Sequence, residues 1–134
     1  KAHRIQEVLR QVLEERGELS LAFLHHLSLE EAFQYLIRFP GVGPKTAACV
    51  LLFSCGMPAF PVDTHVHRLS QRLGLVPKGK NAIEAQAILQ KQVPSEIAHR
   101  FHVNLVNHGR EVCKAQSPRC GECVLSGECE GEGS

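Results

Sequence analysis

The sequence predicts an all-α protein, on three observations. Apolar residues recur at intervals of three and four, as at Ile5, Val8, Leu9, Val12 and Leu13, which is the spacing of one helix face. The segment ends carry helix punctuation, with capping residues at Ser28, Asp63 and Asn81 and with Pro or Gly at the breaks. No segment alternates apolar and polar residues as a half-buried strand would.

Each helix can be justified in turn. The first carries the face just given and ends near Gly17. Ser28 opens the second, with Glu31 three residues on as a capping box and Leu29, Ala32, Phe33, Leu36 and Ile37 as its stripe. Phe39-Pro40-Gly41 stops it, because proline has no N–H for the ladder and glycine accepts positive φ. Pro44 suits the first position of a third helix, which Thr46–Ser54 continue until Gly56, Pro58 and Pro61. Asp63 or Thr64 caps a fourth, bearing Val66, Leu69 and Leu73 and closing at Gly74. Asn81 and Glu84 form another capping box, for a fifth helix ending before Pro94. Ser95 caps a last one, with Ile97, Phe101 and Leu105 on one face and its end at Gly109. The polar, glycine-rich tail 130–134 is expected to be disordered.

Bulk properties narrow the function classes only in part. A chain of 134 residues, 43% hydrophobic and 22% charged, suits one soluble domain or two small helical subdomains. Its longest apolar run, Ala47–Phe53, is far short of a membrane span, and no charged-then-apolar leader opens the chain. The chain begins inside predicted helix, as a fragment or a trimmed chain would. A net charge of +1 makes no bulk argument for a nucleic-acid partner. Arg68, Arg72, Lys78 and Lys80 lie between Asp63 and Glu84 with no acid among them, a run that reads first as a solvated face. His25, His26, His99 and His102 lack metal-ligand spacing and are expected at the surface or an interface.

Three motifs carry chemistry. In Phe39-Pro40-Gly41-Val42-Gly43-Pro44-Lys45-Thr46, a tight glycine turn joins two helices. Gly41 and Gly43 let the backbone approach another molecule closely, and the second helix starts with N–H groups and a partial positive charge. That combination can seat a phosphate, or be an ordinary turn between helices. Lys45 falls in the first turn of that helix, where the dipole disfavours an ammonium; it is either a surface lysine or an amine nucleophile. Asp63, at the start of the fourth helix, is either an N-cap or a carboxylate facing a cleft for acid–base or electrostatic work.

The third motif is Cys113-x6-Cys120-x2-Cys123-x5-Cys129. With no export signal, four clustered cysteines read as metal ligands and not as disulfides, while Cys49 and Cys55 read as small buried hydrophobes. Four thiolates complete either a zinc site or an iron–sulfur cluster. The single C-x2-C pair weakens zinc a little, but spacing does not separate the two.

Taken together, the hairpin with Lys45, the stretch Val62-Asp63-Thr64-His65-Val66-His67-Arg68, and His108-Gly109-Arg110 leading to Cys113 and its loop resemble endonuclease III, the iron–sulfur branch of the helix-hairpin-helix DNA glycosylases. The resemblance runs from about Lys1 to Cys129. It implies a partial helix-hairpin-helix glycosylase fold, lacking N-terminal helices of the six-helix barrel. Residues 1–58 would belong to that barrel, with the helix-hairpin-helix at 29–55; 59–112 would be the helical part of the cluster domain and 113–129 the cluster loop. It implies a [4Fe–4S] cluster on Cys113, Cys120, Cys123 and Cys129, and a base-excision glycosylase with abasic-site lyase activity on damaged double-stranded DNA, the base being an oxidised pyrimidine. Lys45 would be the Schiff-base lysine and Asp63 the aspartate assisting base departure. Gly41, Val42, Gly43 and Thr46 would grip phosphates, with Lys114 and Arg119 near the DNA backbone. A monomer without a membrane partner is implied, in the cytoplasm of a prokaryote or in a eukaryotic nucleus or mitochondrion. Pro44 departs from members with a basic residue there. The competing reading is a non-catalytic iron–sulfur DNA-binding module.

Overall fold

A computed structural model describes residues 1–131, and every regular element among them is helical. None of these helices is long and apolar enough to cross a membrane. The chain divides into two compact units, Lys1–Ala59 and Phe60–Ser134.

In the first unit, α1 spans Ala2–Arg16 and ends on Gly17, whose φ of 77° lets its N–H return to the Leu13 carbonyl. A 3₁₀ turn at Ala22–His26 leads to α2, Leu29–Ile37. The Ser28 hydroxyl oxygen accepts the Glu31 N–H at 3.1 Å, and its proton goes to the Glu31 carboxylate. Arg38 reaches back from the end of α2 to Glu15 of α1 at 2.8 Å, and its guanidinium holds that carboxyl below the usual range. Both groups face solvent, so the pair orients the helices more than it stabilises them.

The apolar face of α1 is not buried as a whole. Val12 is buried, but Ile5 is 59% exposed and Leu9 and Leu13 are each 47% exposed. Helix α3 spans Pro44–Cys49 and runs on into a π turn, Val50–Ser54, closed by the Cys55 N–H on the Val50 carbonyl. An apolar run such as Ala47–Phe53 has no polar marks from which this change of pitch could be read. Burial pushes the Cys55 thiol above its ordinary pKa.

In the second unit, α4 (Thr64–Arg72), α5 (Ala82–Gln92) and α6 (Ala98–Glu111) surround a core that includes Phe60, Val66, Leu69 and Leu105. Asn81 and Glu84 exchange both bonds of the expected capping box, each at 2.9 Å. Two expectations for α6 are corrected. Ser95–Ile97 forms a separate 3₁₀ turn, and Gly109 lies within the helix instead of ending it. The reason is tertiary: a Cβ at Gly109 would come within 2.8 Å of the His65 Cβ on α4, so glycine permits the close approach of the two helices. His102 is likewise not a surface residue, being 5% exposed with its ring edge-on to Phe60. The disorder expected for 130–134 does not describe its first two residues. Gly131 donates to the Arg72 carbonyl at 2.7 Å, and the Glu130 carboxylate lies over Gly74. Residues 132–134 lie outside those described.

Candidate metal centre and hairpin site

The loop after α6 turns back on that helix and on α4. The Arg119 guanidinium donates twice to the Glu111 carbonyl at the end of α6, at 3.1 and 2.6 Å, and pairs with Glu122 at 3.1 Å. Arg68 donates to the Gly109 carbonyl at 2.9 Å and twice to the Cys113 carbonyl, at 2.9 and 3.1 Å. Arg72 donates to the carbonyls of Lys114 and Ala115 and to the Cys113 Sγ, the last at 3.1 Å. The expected solvated basic face is therefore divided. Arg68 and Arg72 are half-buried and hold backbone, whereas Lys78 and Lys80 stay exposed.

Cys113, Cys120, Cys123 and Cys129 line one cavity of about 180 Å³, together with Arg72, Val112, Pro118 and Arg119. All four cysteines are free thiols. Four thiolates can hold a zinc ion or a larger metal–sulfide group. A cavity lined by four soft donors fits a larger metal–sulfide group, so the residues present fit a [4Fe–4S] cluster. Further polar groups meet the sulfurs. His108 Nε2 lies 3.2 Å from Cys123 Sγ, and the Leu125 N–H is 3.4 Å from the same atom. Cys129 Sγ lies 3.4 Å from the Arg72 carbonyl, a contact the side chain makes as a donor only while it keeps its proton.

The hairpin is built in the first unit. The Val42 N–H closes the turn on the Phe39 carbonyl at 3.1 Å, and Gly41 takes a φ of 80°. Gly43 caps α3 without a side chain, so the first-turn N–H groups of Lys45 and Thr46 lack an intrahelical acceptor. Gly41, Gly43, Lys45 and Thr46 are exposed and Val42 is half-buried. The aliphatic end of Arg4, on α1, lies 3.0 Å from where a Gly41 Cβ would sit, which brings to the turn a cation that the motif does not include.

Asp63 lies in the second unit as the N-cap of α4, its Oδ1 accepting the Val66 N–H at 2.8 Å. The capping alternative is thus realised, and it engages one of the two carboxylate oxygens. Lys114 is exposed on the cysteine loop. Sequence reasoning missed Arg72 and His108 as neighbours of the sulfurs. Their positions on helices say nothing of partners 41 and 15 residues away.

Residues 113–129 match the family described as the iron–sulfur binding domain of endonuclease III. Endonuclease III of Thermotoga maritima is 38% identical over 130 residues, which cover 97% of this chain and 56% of that protein. The Bacillus subtilis enzyme of the same name is also 38% identical, over 96% of this chain and 55% of its own length. Among solved structures, a non-covalent endonuclease III–DNA complex aligns with a TM-score of 0.77 at 36% identity, over 98% of this chain and 57% of the other. A trapped endonuclease III–DNA covalent intermediate aligns at 0.76. The chain spans a little over half the length of these relatives.

Proposed function

The chain belongs to the endonuclease III family and holds a [4Fe–4S] cluster, and from that premise we propose that Cys113, Cys120, Cys123 and Cys129 are its ligands and that the chain is a base-excision repair glycosylase with abasic-site lyase activity on double-stranded DNA. The observation that carries the proposal is Lys45, an exposed amine in the first turn of a helix entered through a glycine turn, in a chain whose relatives are named endonuclease III. Here the hairpin N–H groups of Lys45 and Thr46 donate to a phosphate oxygen, and Lys114 and Arg119 lie near the DNA backbone. Arg119 does so in competition with its bonds to Glu111 and Glu122.

In the reaction, Lys45 Nζ bonds to C1′ of the damaged nucleotide as the C1′–N bond to the base breaks, and the base leaves with a proton. Asp63 assists departure of the base and stabilises the positive charge that develops on the sugar. Loss of a proton from nitrogen and opening of the sugar ring give the Schiff base. Removal of a proton at C2′ then expels the 3′ phosphate by β-elimination, and water releases the lysine. The target is an oxidised pyrimidine extruded from the duplex. The cluster, when bound, supplies thiolate crosslinks to a loop of low apolar content.

Borohydride in the presence of abasic-site DNA tests this reading. The wild-type protein should become covalently joined to the DNA, whereas Lys45→Gln should bind the DNA and not be trapped. DNA binding by the wild type without trapping or cleavage would overturn the enzyme and leave the iron–sulfur DNA-binding module.

A further inference from the structure

The sulfurs of the cluster site are not equivalent in their surroundings. Cys113 Sγ receives a guanidinium N–H from Arg72 at 3.1 Å. Cys123 Sγ lies 3.2 Å from His108 Nε2 and also meets a backbone N–H. A cysteine bound to iron has given up its proton, so it can only accept; in the loaded site His108 Nε2 therefore carries the hydrogen of that contact. Both side chains are held from elsewhere. Arg72 is the last residue of α4 and also holds the Lys114 and Ala115 carbonyls, and His108 is part of α6. Neither residue belongs to the cysteine motif.

We propose that Arg72 and His108 set the reduction potential of the cluster by donating hydrogen bonds to Cys113 and Cys123. The inference rests on the cluster being held by these four cysteines. An added electron spreads negative charge onto the sulfurs, and a fixed N–H donor stabilises that charge more than it stabilises the oxidised form. Arg72 has the larger effect because its donor is cationic and charge-assisted bonds are about twice as strong as neutral ones. Removing such a donor disfavours the reduced form by about tenfold in the reduction equilibrium, which is 59 mV for a one-electron couple. Both act as positioning residues of the cluster.

The test is voltammetry of the purified brown protein and of Arg72→Gln, Arg72→Lys, His108→Leu and His108→Gln, with iron content measured on each. The charge-neutral Arg72→Gln and the donor-free His108→Leu should shift the potential to more negative values. Arg72→Lys, which keeps a cationic donor where Arg72→Gln keeps only a neutral one, and His108→Gln, which keeps a donor where His108→Leu has none, should recover most of the shift. If Arg72→Gln or His108→Leu fails to retain iron, the paired conservative variant still reports a potential, displaced from the wild type in the same direction by less. Cluster-loaded variants whose potentials all equal the wild type's would overturn the proposal and leave both residues as loop anchors. A colourless wild type without iron would overturn the cluster assignment itself.

Discussion

Gly109 sits where α4 and α6 come closest, and its missing side chain is what the contact requires. A methyl there would meet the His65 Cβ at 2.8 Å, an atom tied to backbone with no freedom to swing away. Gly109→Ala should therefore destabilise the second unit by about 1–3 kcal/mol, the range for overpacking a close contact. A denaturant midpoint equal to the wild type's would show that the helices part at no cost. Single residues were legible in the sequence wherever a motif names them. The four cysteines, the hairpin glycines, the Asp63 cap and the Asn81–Glu84 box all depend on neighbours within a few positions. Arg72, His102 and His108 were not legible, because each has its partner on another element.

At the scale of elements, α1 separates pattern from burial. Its spacing predicts one apolar face, yet within that face Leu9 keeps 47% of its surface exposed beside a buried Val12. Leu9→Gln should then cost less than about 0.5 kcal/mol, as an exposed substitution does. Val12→Ala should cost about 1–2 kcal/mol, for two lost methyl groups and the space they leave. Thermal or denaturant unfolding of the two variants checks this, and a loss at Leu9 equal to that at Val12 would mean the whole face is covered. Helical periodicity reports which side chains align, and the neighbour that covers them is a separate matter. The same distinction explains Gly109. Glycine is a common helix terminator by propensity, but the packing of α4 against α6 used it inside a helix.

At the scale of the molecule, the second unit ends in a loop with little apolar content of its own to bury. Val124 is 90% exposed, and the loop is held by bonds from Arg68, Arg72 and Arg119 to backbone, with four cysteines around its cavity. Removing iron by oxidation and chelation should bleach the protein and expose residues 114–128 to protease, with cleavage about tenfold faster or more. Far-UV circular dichroism should change little, since α4, α5 and α6 have their own core. An apo protein with an unchanged cleavage pattern would show that the arginine bonds suffice to hold the loop.

By itself the sequence determined the helical class, the capped helix starts, the glycine hairpin and the clustering of four cysteines, since these are written in spacings of two to seven residues. The tertiary structure alone decided which faces are covered, that Gly109 and His102 lie inside, and that Arg68 and Arg72 turn onto the cysteine loop. The physical reason is that local pattern encodes hydrogen bonding and helix phase. Burial, by contrast, and a donor's choice of acceptor depend on chain segments that meet only once the protein has folded.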